Sequence, residues 1–379
     1  MHDFLVKEIC NKNIEEELCS IGFDRTYTNK AKDKFAYKNY KIFDLTPAQA
    51  NIIKQTAISV GADCGTHREV ITGKIDKSSC VLGGSISQLV KIGQKLNNQP
   101  FGLKNLGEKI AKLSTKDTAP SKTKIVGILN ITPDSFSDGG KYFEPEKAIN
   151  KINELINEGA DIIDIGAETT KPYSEPTPDE EQIKRLAPIL KYTSDNILTP
   201  ISIDTRSSAV AQFATDNGVR IINDVSGLDF DPNMADVIAR SNAKVIIQHS
   251  KGSPENMQNN PTYENLIDEI FLSLTDKLNY ALSKGIAKNN IILDPGIGFG
   301  KTTKDNFEII RRWKEFKSLG CPVMLGLSRK SLLNMPDADN KEKDIYTLAI
   351  NSILINENID YIRVHNVKLH KKLIDMLPE

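Results

Sequence analysis

Eight short apolar segments of this chain each end in side chains that can do chemistry: Asn130, Glu168-Thr169-Thr170, Asp204, Asn223-Asp224, Gln248-His249, Asp294, Ser328-Arg329-Lys330 and Arg363-His365. A single Asp or Asn after a strand is ordinarily a cap or turn residue. Eight such ends in succession point instead to one shared polar pocket. Asp204, Asn223 and Asp294 supply acceptors and one amide, the set that reads the edge of a flat heterocycle rich in N–H groups. Lys330, Arg363 and His365 supply cations suited to a phosphate or diphosphate. Asn130, with the acidic loop Asp134 to Asp138, can help hold Mg²⁺, an ion that keeps several waters and binds substrate phosphates as well.

Two loops bear on the same pocket. DPGIGFGK, from Asp294 to Lys301, lacks the glycine spacing of a dinucleotide fingerprint, and the chain has no full phosphate-binding GK[ST] loop. It reads as a series of tight turns that brings backbone close to a ligand, with Phe299 offering a stacking face. Ser328-Arg329-Lys330-Ser331 reads as a helix opening whose free N–H groups meet a carboxylate or phosphate, a plain Ser N-cap being the simpler alternative.

The elements that must position these groups follow from hydrophobic pattern. In IVGILNITPDSFSDGG, from Ile125 to Gly140, the first half reads as a strand covered on both faces, and Thr132-Pro133-Asp134 then ends pairing. Similar segments recur at Ile162 to Ala167, Ile201 to Asp204, Arg220 to Val225, Lys244 to His249, Ile291 to Asp294, Val323 to Leu327 and Tyr361 to His365. Helical stretches lie between them, at Pro145 to Glu158, Asp179 to Lys191, Ser207 to Asn217, Asn233 to Ser241, Tyr263 to Ser283, Lys304 to Phe316 and Asp344 to Asn356, with Lys368 to Met376 last. Eight βα units in roughly 250 residues predict an α/β fold, a (β/α)₈ TIM barrel, with its site at the C-terminal strand ends.

Residues 1–113 have a less regular pattern and are expected to form a smaller N-terminal α/β domain of unknown role. Helices are expected near Ile14 to Ile21, Thr46 to Val60 and Ser85 to Leu96, a strand near Tyr40 to Leu45 and a short β segment near Val70 to Ile75. Asp63, His67, Arg68 and Glu69 read as a polar turn. STKDTAPSKT, within a linker assigned to 114–123, separates this part from a barrel over 124–379. A net charge of −1 gives no general attraction to nucleic acid or membrane, so anion binding must be local. No apolar run reaches the ~20 residues of a membrane span, and the first residues lack a signal-peptide core. Five cysteines without CxxC spacing fit reduced thiols in a cytoplasm.

GILNITPDSFSDGG, GADIIDIGAETTKP, SIDT, INDVSG, HSKGSPENMQ, LDPGIGFGK, GLSRKS and RVHNV occur in one order from Lys124 onward. In these motifs the chain resembles the dihydropteroate synthases of the pterin-binding barrel family. The resemblance implies a transferase of folate synthesis that condenses a dihydropterin-CH₂-diphosphate with p-aminobenzoate, with Mg²⁺ as cofactor and a homodimer as assembly. It implies a pterin set of Asp204, Asn223, Asp294 and Lys330, diphosphate anchors Arg363 and His365, and Asn130 as Mg²⁺ contact. Thr170, Pro172, Phe299 and Ser331 line the p-aminobenzoate site in this scheme, and a loop from Asp134 to Gly140 closes over it. Lys330, Arg363, His365 and Asp134 are then the catalytic residues.

Five positions depart from the family pattern: Ala167, Lys171, Tyr173, Ser250 and Asn366. Lys171 replaces the usual Arg and lacks its planar fork. Ser250 replaces an apolar contact to the pterin, and Asn366, in place of Asp, is expected to weaken the orientation of His365. A methyltetrahydrofolate–corrinoid methyltransferase shares the Asp and Asn contacts but has no reason to carry TPDSF or SRKS. A non-catalytic pterin-binding paralogue is the second alternative.

Overall fold

The computed structural model describes residues 5–9, 13–115, 122–132, 144–168, 177–252, 261–330 and 338–377. Two compact units divide the chain, Met1–Ala119 and Pro120–Glu379. The first contains α1 (Ile14–Ser20), α2 (Arg25–Phe35), β1 (Tyr37–Leu45), α3 (Pro47–Ile58), β2 (Asp63–Thr66), β3 (Ser78–Ser85), α4 (Ile86–Leu96) and α5 (Leu103–Thr115). Its strands form an antiparallel sheet in the order β1-β3-β2. Thr46 and Ser85 cap α3 and α4 through capping boxes with Gln49 and Gln88, which satisfies the first free N–H groups of each helix.

Sequence and structure differ at several places here, and α2, β3 and α5 are not among the expected elements. The β segment expected near residues 70–75 is a helical turn, Arg68–Val70, followed by a turn in which Gly73 has φ of +66°. The strand lies earlier, at Asp63–Thr66, where pairing with β3 buries Cys64. Helix α5 runs to Thr115, two residues into the expected linker. Its Ser114 is buried, donates to the Ile110 carbonyl and meets the Tyr40 hydroxyl at 3.2 Å. Tertiary contact thus overrides the polar composition there.

The second unit contains β4 (Lys124–Asn130), α6 (Pro145–Asn157), β5 (Ile162–Gly166), α7 (Asp179–Asn196), β6 (Ile201–Asp204), α8 (Ser208–Asp216), β7 (Ile221–Asp224), α9 (Met234–Ser241) and β8 (Lys244–Gln248). It continues with α10 (Leu266–Ser283), β9 (Ile291–Asp294), α11 (Thr303–Arg312), β10 (Met324–Leu325), α12 (Asn340–Asn356), β11 (Tyr361–Val364) and α13 (Val367–Met376). All eight strands pair in parallel, in the order β10-β11-β4-β5-β6-β7-β8-β9. A parallel bridge between Leu293 and Val323, with Leu293 N–H donating to the Pro322 carbonyl at 2.9 Å, joins the two ends. This is a TIM barrel.

Strand alternation sorts its side chains. Ile125, Ile163, Ile203, Ile222, Val245, Leu293 and Ile362 belong to the large cluster shared with the surrounding helices. Val126, Ile162, Ile221, Ile246, Ile292, Met324 and Tyr361 form a separate buried cluster, contributed one each by seven strands. That second set fills the barrel interior, and residues two or four positions further along each strand face the same way. Within the expected helix opening, Ser328–Lys330 is not yet helical: Arg329 has φ of +59°, outside the helical region, and donates to both carboxylate oxygens of Asp344 at 2.8 Å. Ser331 lies outside the described residues.

Trp313, the single tryptophan of the chain, is fully buried after α11 and donates from Nε1 to Glu357 at 3.0 Å. Trp313→Ala should cost about 3–5 kcal/mol. Circular dichroism melting should show this as a lower Tm for the barrel transition, and an unchanged Tm would refute the packing assigned to this residue.

Candidate active site

Alternation from the interior cluster determines which strand-end groups meet. Counting by twos from Val126, Ile162, Ile221, Ile292 and Tyr361 gives Asn130, Asp164, Asn223, Asp294, and then Arg363 with His365. Asp204 pairs in register with Gly166 and Asn223 and so joins them. Positions one step off this count face the helices. Asp224, expected at the rim, instead accepts from the Ser226 and Leu228 N–H groups, and His249 packs against Lys301 Nζ at 3.0 Å. One residue of slip along the pleat separates pocket from scaffold.

Contacts confirm the convergence. A Cβ built on Gly166 would lie 3.3 Å from Asn130 Oδ1 and 3.7 Å from Asp204 Cβ, so a glycine leaves these two side chains their space. Arg363 donates from Nε to Asp164 Oδ2 at 2.6 Å and from Nη2 to Asp204 Oδ2 at 2.7 Å. Asn223 Nδ2 donates to the same Asp164 oxygen at 3.0 Å. Lys330 Nζ donates to the Ile297 carbonyl at 2.6 Å and stands 4.6 Å from the centre of the Phe299 ring. The DPGIGFGK loop reaches this point through positive φ at Gly296 and Gly298, and a side chain at Gly296 would overlap the His249 carbonyl oxygen.

Burial and countercharge set the ionisation of the pocket. Burial raises the Asp204 carboxyl to about 7 against the opposing pull of Arg363. Asp294 is also raised by burial, opposed first by Lys330. Lys330 is lowered to about 8 by burial, with Asp294 acting against the fall. His365 is lowered to about 3 by burial and by Arg329 and Arg363, so its imidazole is neutral at neutral pH. The His365 N–H donates to Ser328 Oγ at 3.2 Å, and Oγ lies 2.9 Å from Nδ1. With the hydroxyl hydrogen directed to Nδ1, the ring proton sits on Nε2, a donor for an anion.

Of the expected site residues, Asn130, Asp204, Asn223, Asp294, Lys330, Phe299, Arg363 and His365 fall at this end of the barrel. Asp134, Thr170, Pro172, Ser331 and the departures Lys171 and Tyr173 lie outside the described residues. Asn366 does not reach His365: it donates to Asp344 Oδ2 at 3.2 Å and accepts from Leu369 N–H, and an Asp in its place would face the Asp344 carboxylate. Strand-end reasoning missed Asp164, which is fully buried in the middle of β5. Its signal was available: one acid inside the apolar run Ile162–Gly166, two residues from an interior position.

The profile of the pterin binding enzyme family matches residues 126–365. The dihydropteroate synthase of Clostridium beijerinckii is 41% identical over 250 residues, covering 65% of this chain and 90% of that protein. The chain belongs to the pterin-binding family, among the dihydropteroate synthases. A probable bifunctional folylpolyglutamate synthase/dihydropteroate synthase of Haloferax volcanii is 32% identical over 343 residues. That match covers 84% of this chain, which spans only 40% of the length of the Haloferax protein. The crystal structure of a Clostridium difficile dihydropteroate synthase with pteroic acid superposes at a TM-score of 0.64 and 37% identity, covering 69% of this chain and 97% of that one.

Asn130 is an exposed, neutral oxygen donor at the rim, and among the described residues no group of three His, Cys, Asp or Glu forms a protein cage. Such a donor set suits an ion held mainly by water and phosphate oxygens.

A His with a lowered pKa makes the folded state resist protonation while the unfolded chain binds a proton below about 6.5. Stability contributed at His365 therefore falls as pH drops from there toward about 3. The Tm of His365→Asn should fall less steeply between pH 7 and 5 than that of the unsubstituted chain, and parallel slopes would show that His365 titrates normally.

Proposed function

We propose that this chain condenses a dihydropterin-CH₂-diphosphate with p-aminobenzoate to give dihydropteroate and diphosphate. The observation that carries the reading is the shared inward alternation that sets the Asp204, Asn223 and Asp294 acceptors beside the Arg363 and Lys330 cations. Asp204, Asn223 and Asp294 read the N–H edge of the pterin, Lys330 bounds its other side, and Phe299 beside Lys330 lines the p-aminobenzoate site. Arg363 and the Nε2–H of His365 hold the diphosphate. Asn130 would hold Mg²⁺, which when bound adds positive charge against the departing diphosphate.

These residues favour departure of the leaving group first. The C–O bond breaks, its electron pair leaves with the diphosphate, and the positive charge on the methylene spreads into the pterin. The amine of p-aminobenzoate then attacks and loses its proton without a protein base. Pteroic acid, in the presence of which the Clostridium difficile structure was determined, joins both halves of that product.

In this reading the first unit is a smaller α/β domain ahead of the barrel with a packing or assembly role. A cytoplasmic homodimer completes the proposal. Cys19, Cys64 and Cys80 are free thiols, and among the described residues no helix is long and apolar enough to cross a membrane. Ile345 with Ile353 on α12, and Leu272 with Tyr280 on α10, are exposed apolar pairs eight residues apart, each on one helix face, and suit pairing between copies.

With Mg²⁺ and the pterin diphosphate, diphosphate release should require p-aminobenzoate and match dihydropteroate one for one. Pterin binding without release would leave a non-catalytic pterin-binding protein in its place. Asp294→Ala should weaken pterin binding by roughly 1–3 kcal/mol, because it removes the partner of buried donors. Arg363→Ala should lower kcat by about 10²-fold or more while p-aminobenzoate affinity changes little. Wild-type kcat in that variant would remove Arg363 from the diphosphate site.

A further inference from the structure

Asp164 touches neither the rim nor solvent, yet two members of the pocket are tied to one of its oxygens. Oδ2 accepts from Asn223 Nδ2 at 3.0 Å and from Arg363 Nε at 2.6 Å, and Asp164 is fully buried. The end of the Asn223 amide that faces this oxygen is thus the NH₂ group. The carbonyl end is then turned the other way. Asn223 Oδ1 is buried and has no hydrogen-bond partner among the described residues, which leaves a desolvated acceptor to be satisfied by something that enters the pocket.

The same carboxylate acts on the cation. A guanidinium carries five N–H donors. Asp164 takes the one on Nε and Asp204 takes one on Nη2. Both Nη1 hydrogens and one on Nη2 keep no protein partner among the described residues. Ser202, in register with Asp164, bonds to neither group: its hydroxyl oxygen is buried without a partner among the described residues.

We propose that Asp164 is a positioning residue for the synthase reaction: it turns the Asn223 carbonyl toward the heterocycle and grips Arg363 from the Nε side, leaving the Nη1 donors to the anion. This rests on the functional reading above for the identity of the two ligands. A single buried carboxylate thereby couples the heterocycle edge to the anion clamp.

The test compares D164N and the double substitution D164N/N223D with the unsubstituted chain. Equilibrium binding of the pterin diphosphate is measured by calorimetry without p-aminobenzoate, KM for each substrate from steady-state rates, and folding from Tm. D164N should weaken pterin diphosphate binding and raise its KM by about tenfold or more, with KM for p-aminobenzoate within about twofold. The double substitution exchanges carboxylate and amide, so a hydrogen bond between the pair returns and an acceptor still faces the ligand. Its pterin diphosphate affinity should recover to within about threefold of the starting value. D164N within about twofold of the starting chain, an equal rise in KM for both substrates, or a double substitution no tighter than D164N would each overturn the proposal. If D164N does not accumulate as folded protein, the affinity of the double substitution decides alone, and a loss of more than about tenfold overturns it. Pterin binding that follows this pattern in a chain that releases no diphosphate would reject the synthase reading and leave the role of Asp164 standing.

Discussion

A guanidinium held between two carboxylates inside the barrel is the constraint on which the pocket depends. Arg363 reaches Asp164 and Asp204 across 199 and 159 residues of chain, so the contact exists only when β11, β5 and β6 are curved toward one another. Taking such charges out of water costs several kcal/mol per ion, and the geometry offsets this only when the remaining donors and acceptors are also satisfied. Here they are satisfied in part. Asp164 Oδ1, Asn223 Oδ1 and Ser202 Oγ remain buried without partners among the described residues. A pocket that folds with unmet acceptors at its base is built to receive donors.

The electrostatics of the rim follow from the same burial. Asp204 and Asp294 are raised and Lys330 and His365 lowered, so each group is drawn toward its neutral form while a neighbour of opposite charge opposes the shift at all four. At His365 the nearest cations act with burial, and the ring stays a neutral hydrogen-bond donor. Fixed donors of this kind need little rearrangement when charge develops on a leaving group. The DPGIGFGK loop is held to the barrel in a similar way. Lys301 is buried, donates to the Phe299 carbonyl at 2.9 Å and approaches His249 Nδ1 at 3.0 Å, which fixes the backbone under the Phe299 ring.

Asn366 shows how local reading fails, and Arg329 shows how a distant partner sets a backbone angle. Asn366, taken alone, looked like a weakened partner for His365, but the helix start at α13 and the nearby Asp344 claim its side chain. Ser328-Arg329-Lys330 has the composition of a helix opening. Arg329 nevertheless adopts φ of +59°, held by its two bonds to Asp344.

The sequence by itself determined the barrel, because eight β-branched runs separated by amphipathic helices leave few other ways to bury both faces of each strand. It also determined which polar types stand at the strand ends, and hence the chemistry of a heterocycle and an anion. Tertiary structure alone decided which of two adjacent polar residues faces inward, as with Asn223 against Asp224, since a shift of one residue exchanges pocket for scaffold. It alone joined Asp164 to Arg363, and it moved Asp63–Thr66 into a sheet and Ser114 into a core. For Asp164 and Ser114 the deciding partner lies far away in sequence, where propensity and spacing carry no information about it.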